Sequence, residues 1–309
     1  MSVVAWIGLG AMGGRMSAHL AAAGHDVRGV DVVPALVEAA AARGVVAAAS
    51  VADAVRDADV VILSLPKGEH VRQVLDGPDG AWASARPGTL LLDTSTVDVA
   101  TSRWCHEQSA ERGHRFVDAP VSGGVSGAEA GTLTVMLGGE AADVADASGV
   151  VAPFAGSTIA VGPATHGIAA KLVNNMMLGI GMLAVSEGSQ LARHLGLDPQ
   201  AFWDVARVSS GDSWPLRTWY PVPGIVDSSP ANRGFAPGFS TDLAEKDLSL
   251  AVAGADETGV HVPAARIVLE QLRALQAEGL GGLDCTLVAR FASPDGTLEG
   301  YDAGGQDPA

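Results

Sequence analysis

Short runs in which nearly every position is apolar recur through the first half of the chain. "VVAWIG" (3–8), "DVRGVD" (26–31), "VVAAA" (45–49), "VVILSL" (60–65), "TLLLD" (89–93), "FVDAPV" (116–121), "LTVML" (133–137) and "TIAVG" (158–162) read as strands. Several are too continuously apolar for a sheet with one face in water. Segments of helical spacing separate them, and that alternation predicts βαβ units and a mostly parallel sheet covered by helices. At "GPATHG" (162–167) the pattern breaks. Beyond it, apolar residues recur every three or four positions through "GIAAKLVNNMMLGIGMLAVSEGSQLARHLGL" (167–197), the period of an amphipathic helix. The expected organisation is an α/β domain over 1–163, an all-α domain over 164–292 that is interrupted by a loop rich in Ser, Trp, Pro and Gly (209–238), and a frayed tail over 293–309.

Composition narrows the class. With 309 residues, 48% of them hydrophobic and 17% charged, the chain is globular and long enough for two cores. A formal net charge of −16 argues against nucleic acid and anionic membrane as partners, because both need a cationic surface. Cys105 and Cys285 are far apart and lack metal-ligand spacing, so neither a disulfide framework nor a metal site is expected, and the cytoplasm is the default compartment. The start "MSVVAWIGLGAMGG" has no positive leading segment and reads as structure. The apolar stretch from Ile168 to Val185 carries Lys171, Asn174, Asn175, Gly179 and Gly181, and reads as falling short of the uniform length a membrane span requires.

The sharpest chemical signal is "GLGAMG", residues Gly8, Leu9, Gly10, Ala11, Met12 and Gly13, directly after a strand and before a helix. It fits G-x-G-x-x-G: Gly8 for the tight turn, Gly10 for the approach of a pyrophosphate, Gly13 for close helix–strand packing. The helix N-terminus supplies N–H groups and a positive dipole end. Asp31, at the end of the next strand, stands where a carboxylate can accept both ribose hydroxyls and would repel a 2′-phosphate, so NAD is favoured over NADP. The α/β domain is therefore expected to be Rossmann-type. "SLPKGEHV" (64–71) and "DTST" (93–96) follow the fourth and fifth strands, where open α/β sheets bind ligands; alternatively Ser64, Thr94 and Thr96 cap helices. In "DAPVSGG" (118–124), Ser122 with the N–H groups of Gly123 and Gly124 is either a small anion nest for a carboxylate or a plain turn. Lys171 and Asn175 are four apart and share a helix face. A desolvated lysine exchanges protons readily and an asparagine one turn away can hold a hydroxyl in line, whereas the bland alternative is a lysine that snorkels to solvent.

Together, "GLGAMGGRM" (8–16), "FVDAPVSGGVSGAEAGTLTVMLGG" (116–139), "GIAAKLVNNMM" (167–177) and "EKDLSLA" (245–251) resemble the β-hydroxyacid dehydrogenase family, and its hydroxyisobutyrate branch most closely. The likeness runs from Val4 to about Phe291. It implies NAD-dependent oxidation of a short anionic hydroxyacid, 3-hydroxyisobutyrate, to its semialdehyde, as in valine breakdown. It also implies Lys171 as the proton-transferring residue, Asn175 as its substrate-orienting neighbour and Ser122, Gly123 and Gly124 as the carboxylate site. Leu65, Pro66 and Thr96 are implied as cofactor contacts, Lys246 and Asp247 as groups of the second domain that close over substrate and cofactor, and a homodimer or homotetramer as the assembly. The stripe "AARIVLEQLRAL" (264–275) is a candidate for self-association or for ordinary core. Asp212 departs from the basic residue of the family's Ser-Ser-Gly-x segment, which bears on the choice of hydroxyacid. Rival readings are a tartronate or succinic semialdehyde reductase, a phosphogluconate dehydrogenase, an imine reductase, and a protein that binds NAD without turnover. His70, His166 and His261 receive no role.

Overall fold

A computed structural model describes residues 1–301. The chain divides into two compact units, Met1–Lys171 and Leu172–Ala309.

The first unit is built around one sheet. Its elements run β1 (Val3–Ile7), α1 (Gly13–Ala22), β2 (Asp26–Val30), α2 (Pro34–Ala41), β3 (Val46–Ala47), α3 (Val51–Val55), β4 (Val60–Leu63), α4 (Gly68–Asp76), α5 (Ala81–Ser84), β5 (Leu90–Asp93), α6 (Val99–Glu111), β6 (Arg115–Asp118), β7 (Val121–Ser122), α7 (Gly124–Ala130), β8 (Leu133–Gly138), α8 (Ala141–Val151) and β9 (Ala155–Gly162). The strand order is β3-β2-β1-β4-β5-β6-β8-β7, with β9 pairing β8. Pairs from β3 through β6 are parallel, as the βαβ reading requires, and β8 turns antiparallel to β6 and β7. Val60–Leu63 and Leu90–Asp93 are buried at every position because helices cover both faces of the sheet, which explains why these strands do not alternate. The expected run 116–121 is two strands here, broken at Ala119–Pro120, since proline has no N–H to give to a ladder. Trp6 is fully buried in this core and meets Phe154 edge-on at 5.9 Å.

The second unit is helical: most of α9 (His166–His194), then α10 (Pro199–Ala206), α11 (Trp214–Thr218), α12 (Thr241–Thr258) and α13 (Pro263–Ala277). The stretch 209–238 is not all loop, for it contains α11 and a 3₁₀ turn at Pro230–Arg233. The buried Asp284 carboxylate accepts N–H bonds from Gly238 (2.8 Å) and Phe239 (3.1 Å), which pins the chain just ahead of the Ser240 cap of α12. The stripe at 264–275 is core: Ala265, Val268, Leu269, Leu272 and Leu275 are buried together with Met182, Leu248 and Val252.

By internal packing the two units part between Lys171 and Leu172, inside α9, because the first turn of α9 is bonded to the end of β6. Two expectations change. The segment read as a frayed tail is packed over 293–301: Leu298 is 4% exposed and Tyr301 meets Phe235 edge-on at 6.3 Å. Residues 302–309 of that segment lie outside the described residues. Finally, α9 is one continuous 29-residue helix that holds an 18-residue window of mean hydropathy 1.6, long and apolar enough by length and composition to cross a membrane; its internal glycines do not interrupt it. Its buried positions include Lys171, Asn175, Ser186, Ser189 and Gln190 besides Met182 and Leu183.

Candidate active site

Four backbone bonds extend the sheet ladder one residue past the carboxyl ends of the strands. Gly8 N–H donates to Val30 O (2.9 Å), Ser64 to Ile7 O (2.9 Å), Thr94 to Leu63 O (2.9 Å) and Ala119 to Asp93 O (2.8 Å). These bonds bring the loops after β2, β1, β4, β5 and β6 into one row, with the order reversing at β1 and β4.

Within that row the glycine turn is shaped by contact. Gly8 has φ +95°, and a Cβ there would overlap the Ser64 carbonyl oxygen. At Gly13 a Cβ would overlap the Gly8 carbonyl oxygen and stand 2.9 Å from Trp6 Nε1. That indole already donates to Gly8 O at 3.0 Å, so strand, turn and helix are locked together. Gly10 differs: a Cβ there would have no protein atom within 4 Å. Ala11 is exposed and Met12 half-buried beside it. The first turn of α1 has neither a capping side chain nor an acidic residue, so nothing in it opposes an anion. Asp31 accepts from Leu9 N–H (2.7 Å) through one oxygen and from Val33 N–H (2.9 Å) through the other, which holds its carboxylate against the turn. These residues fit a dinucleotide.

The next two loops are tied to each other. Ser95 Oγ accepts from Leu65 N–H (2.9 Å), Ser95 N–H donates to Asp93 (2.9 Å) and Thr94 Oγ1 donates to Leu63 O (2.7 Å). The capping alternative does not hold: the residue capping α4 is Lys67, without a side-chain bond, and α6 is capped by Asp98. Pro66 is exposed and Thr96 half-buried. Ser95 is a residue that sequence reasoning passed over; its signal was the hydroxyl run in "DTST", whose cross-loop partner lies 30 positions away.

Beyond β6, Ser122 pairs with Thr134 across β7 and β8. Gly123 (φ +134°) and Gly124 (φ +63°) turn the chain into α7, whose first turn also lacks an acidic residue, and the space beside Gly124 is open. This is a pair of conformations that side chains rarely adopt, and glycine supplies both without strain.

Lys171 is 8% exposed, so it does not snorkel to solvent. Asn175, equally buried, donates from Nδ2 to Asp247 Oδ2 (2.7 Å) and accepts at Oδ1 from Asn174 (3.2 Å). A carboxylate only accepts, so Asp247 fixes which way the Asn175 amide points. Lys246 Nζ lies 3.1 Å from Asp247 Oδ1, close enough to offset its charge without the alignment of a hydrogen bond. Asp212, which bore on the choice of hydroxyacid, is paired with Arg217 of α11 at 3.0 Å. Among the described residues no group of three or more His, Cys, Asp or Glu side chains is arranged to hold a metal ion.

A family model described as the NAD binding domain of 6-phosphogluconate dehydrogenase matches residues 3–162, and one described as NAD-binding of NADP-dependent 3-hydroxyisobutyrate dehydrogenase matches 165–292. The probable 3-hydroxyisobutyrate dehydrogenase of Mycobacterium tuberculosis is 46% identical over 85% of this chain and 88% of its own length. The chain belongs to the β-hydroxyacid dehydrogenase family. It is a nicotinamide-dependent oxidoreductase, and NAD, expected from the glycine turn and Asp31, is its cofactor. The NAD-dependent L-serine dehydrogenase of Pseudomonas aeruginosa is 37% identical over 95% of this chain and 99% of its own. Among solved structures, the Mycobacterium tuberculosis 3-hydroxyisobutyrate dehydrogenase with L-serine superposes with a TM-score of 0.89 at 43% identity, covering 94% of this chain and 99% of that one.

Proposed function

We propose that this dehydrogenase oxidises 3-hydroxyisobutyrate to methylmalonate semialdehyde, with Lys171 as the proton acceptor. The observation that carries the reading is a lysine 8% exposed on an apolar helix, followed one turn later by an asparagine whose amide is oriented by Asp247. Burying an ammonium group is costly, and a lysine amine is a group that can take up and give back a proton. When bound, NAD supplies the acceptor for the hydride. Gly8, Leu9, Gly10, Ala11, Met12 and Gly13 would hold its pyrophosphate, Asp31 its ribose, and Leu65, Pro66 and Thr96 its flank. Ser122, Gly123 and Gly124 would take the substrate carboxylate. Asn175 would donate its remaining N–H to the substrate oxygen, holding it for Lys171 to remove the hydroxyl proton as the carbon is oxidised.

A second reading is L-serine as substrate, favoured by the relative of that name and by the ligand of the mycobacterial structure. The two substrates share a carboxylate and a primary alcohol and differ at the middle carbon, methyl against ammonium. Initial rates of NADH formation with 3-hydroxyisobutyrate, L-serine, 3-hydroxypropionate, glycerate and 4-hydroxybutyrate separate the readings. The first requires the highest kcat/KM on 3-hydroxyisobutyrate; preference for glycerate or 4-hydroxybutyrate would turn the assignment toward tartronate or succinic semialdehyde chemistry. Lys171→Ala should collapse turnover while the NAD dissociation constant stays within about twofold. Retained turnover would remove Lys171 from the mechanism, and NAD binding without turnover on any acid would point to a non-catalytic protein.

The same reading makes the protein a cytoplasmic homo-oligomer of valine breakdown. Its support is that Cys105 and Cys285 are free and buried, and that Leu191 and Val205 on α9 and α10, and Leu195 and Val208 just past the ends of those helices, are each more than 60% exposed. Sedimentation velocity of the purified chain tests the assembly, and a monomer at micromolar concentration would reject it.

A further inference from the structure

The Asp118 side chain ends β6 and is 3% exposed, in a position where a carboxylate needs several donors to offset its lost hydration. It has three. Oδ1 accepts from His106 Nε2 at 2.7 Å and from Thr165 N–H at 3.0 Å, and Oδ2 accepts from Ile168 N–H at 2.7 Å. Two of these donors belong to the start of α9, the helix that carries Lys171; the third comes from α6, where the His106 ring is itself held edge-on against Phe116 at 4.8 Å. The surroundings are cut to admit this carboxylate. A Cβ at Gly138 would stand 2.5 Å from Gly167 N and 2.8 Å from Oδ1, and one at Gly167 would stand 2.6 Å from Asp118 O and 2.7 Å from Oδ2, so both glycines let the strand backbone and the carboxylate close on the helix. Thr165 adopts φ +73°, a conformation unfavourable for a β-branched residue, and its N–H is held there by Asp118.

The geometry points to Asp118, with His106 behind it, as a positioning residue for Lys171. This rests on the reading of Lys171 as the proton acceptor. Lys171 lies three residues beyond Ile168, within one turn of the bonded N–H, so its Cα is set by the same anchor. The first turn of a helix is the part that frays when its N–H groups lose their partners. A carboxylate from the neighbouring strand prevents that, and couples the reach of Lys171 to the strand end that leads into Ser122–Gly124. The arrangement aligns a proton-accepting group, and its loss should be felt in turnover before it is felt in cofactor binding.

The test is a double-mutant cycle on the full chain with NAD and the best hydroxyacid, reading kcat, KM, the NAD dissociation constant and the melting temperature. Asp118→Ala should lower kcat about 100-fold, the scale of an ångström of misplacement, with NAD affinity within about twofold of the parent. In a Lys171→Ala background the same change should alter the residual rate by less than about twofold, because the group it serves is gone. An equal loss in both backgrounds, or an unchanged kcat in the parent, overturns the inference. Turnover retained in Lys171→Ala instead overturns the reading of the lysine, so the two failures are distinguishable. Should Asp118→Ala not fold, His106→Leu and His106→Gln decide: the leucine variant should lose roughly tenfold in kcat and the glutamine variant, which keeps a donor at the Nε2 position, should recover most of it. Equal activity in the two variants would overturn the role of the pair.

Discussion

Gly10 and Gly13 belong to one motif and are three residues apart, yet the structure predicts opposite consequences for the same added methyl group. At Gly13 the methyl would overlap the Gly8 carbonyl oxygen and press on the Trp6 indole, both fixed parts of the fold. Overpacking of this kind costs about 1–3 kcal/mol, so Gly13→Ala should lower the melting temperature by several degrees and weaken NAD binding only as far as the turn is distorted. At Gly10 no protein atom lies within 4 Å of the new Cβ, and φ is not in the left-handed region, so the folded chain accepts alanine. Reduced freedom of the unfolded chain is worth up to about 1 kcal/mol in its favour. What Gly10→Ala blocks is the approach of the pyrophosphate to the backbone. Loss of one charge-assisted hydrogen bond, about 1.5–3 kcal/mol, corresponds to a roughly 10- to 150-fold weaker NAD complex. Thermal melting without ligand, paired with calorimetric titration of NAD, reads both quantities. Destabilisation of the Gly10→Ala apoprotein by more than about 1 kcal/mol, or NAD binding as tight as the parent's, would refute this role for Gly10.

Exchanging Asp31 for Ser, with an arginine at Val32, should raise the ratio of NADP to NAD kcat/KM at least tenfold, by removing the repelling carboxylate and adding a partner for the 2′-phosphate; steady-state rates on both cofactors check this, and an unchanged ratio would refute the role of Asp31. Burial pushes the Tyr220 phenol up to about 12 from its ordinary 10. The folded state therefore keeps its proton where the unfolded chain has lost it, so the contribution is fully present below pH 10 and is lost as pH rises toward 12. Urea melts across that window should show falling stability whose slope is reduced in Tyr220→Phe, and identical slopes would contradict it. Asp212→Asn should change kcat/KM on 3-hydroxyisobutyrate by less than about twofold, since its carboxylate is engaged by Arg217; a larger change in steady-state kinetics would return that loop to the substrate pocket.

Much of this protein is written in local pattern. Continuous apolar runs marked the buried strands, three-and-four spacing marked α9, and the glycine turn with Asp31 after the next strand marked a nucleotide site, because each is a property of a few consecutive residues or of a single βαβ unit. The family likeness likewise drew Lys171, Asn175 and Ser122–Gly124 from contiguous motifs. Tertiary structure decided what those residues are bonded to. Asn175 meets Asp247 across 72 positions, Leu65 meets Ser95 across 30, and Asp118 gathers His106 from 12 positions before it and the start of α9 from about 50 after it. Sheet order and helix packing set those distances, and no periodicity encodes them. Leu298 and Tyr301 show the same limit: a segment rich in glycine and acid reads as loose, until a core with room for two side chains holds it down.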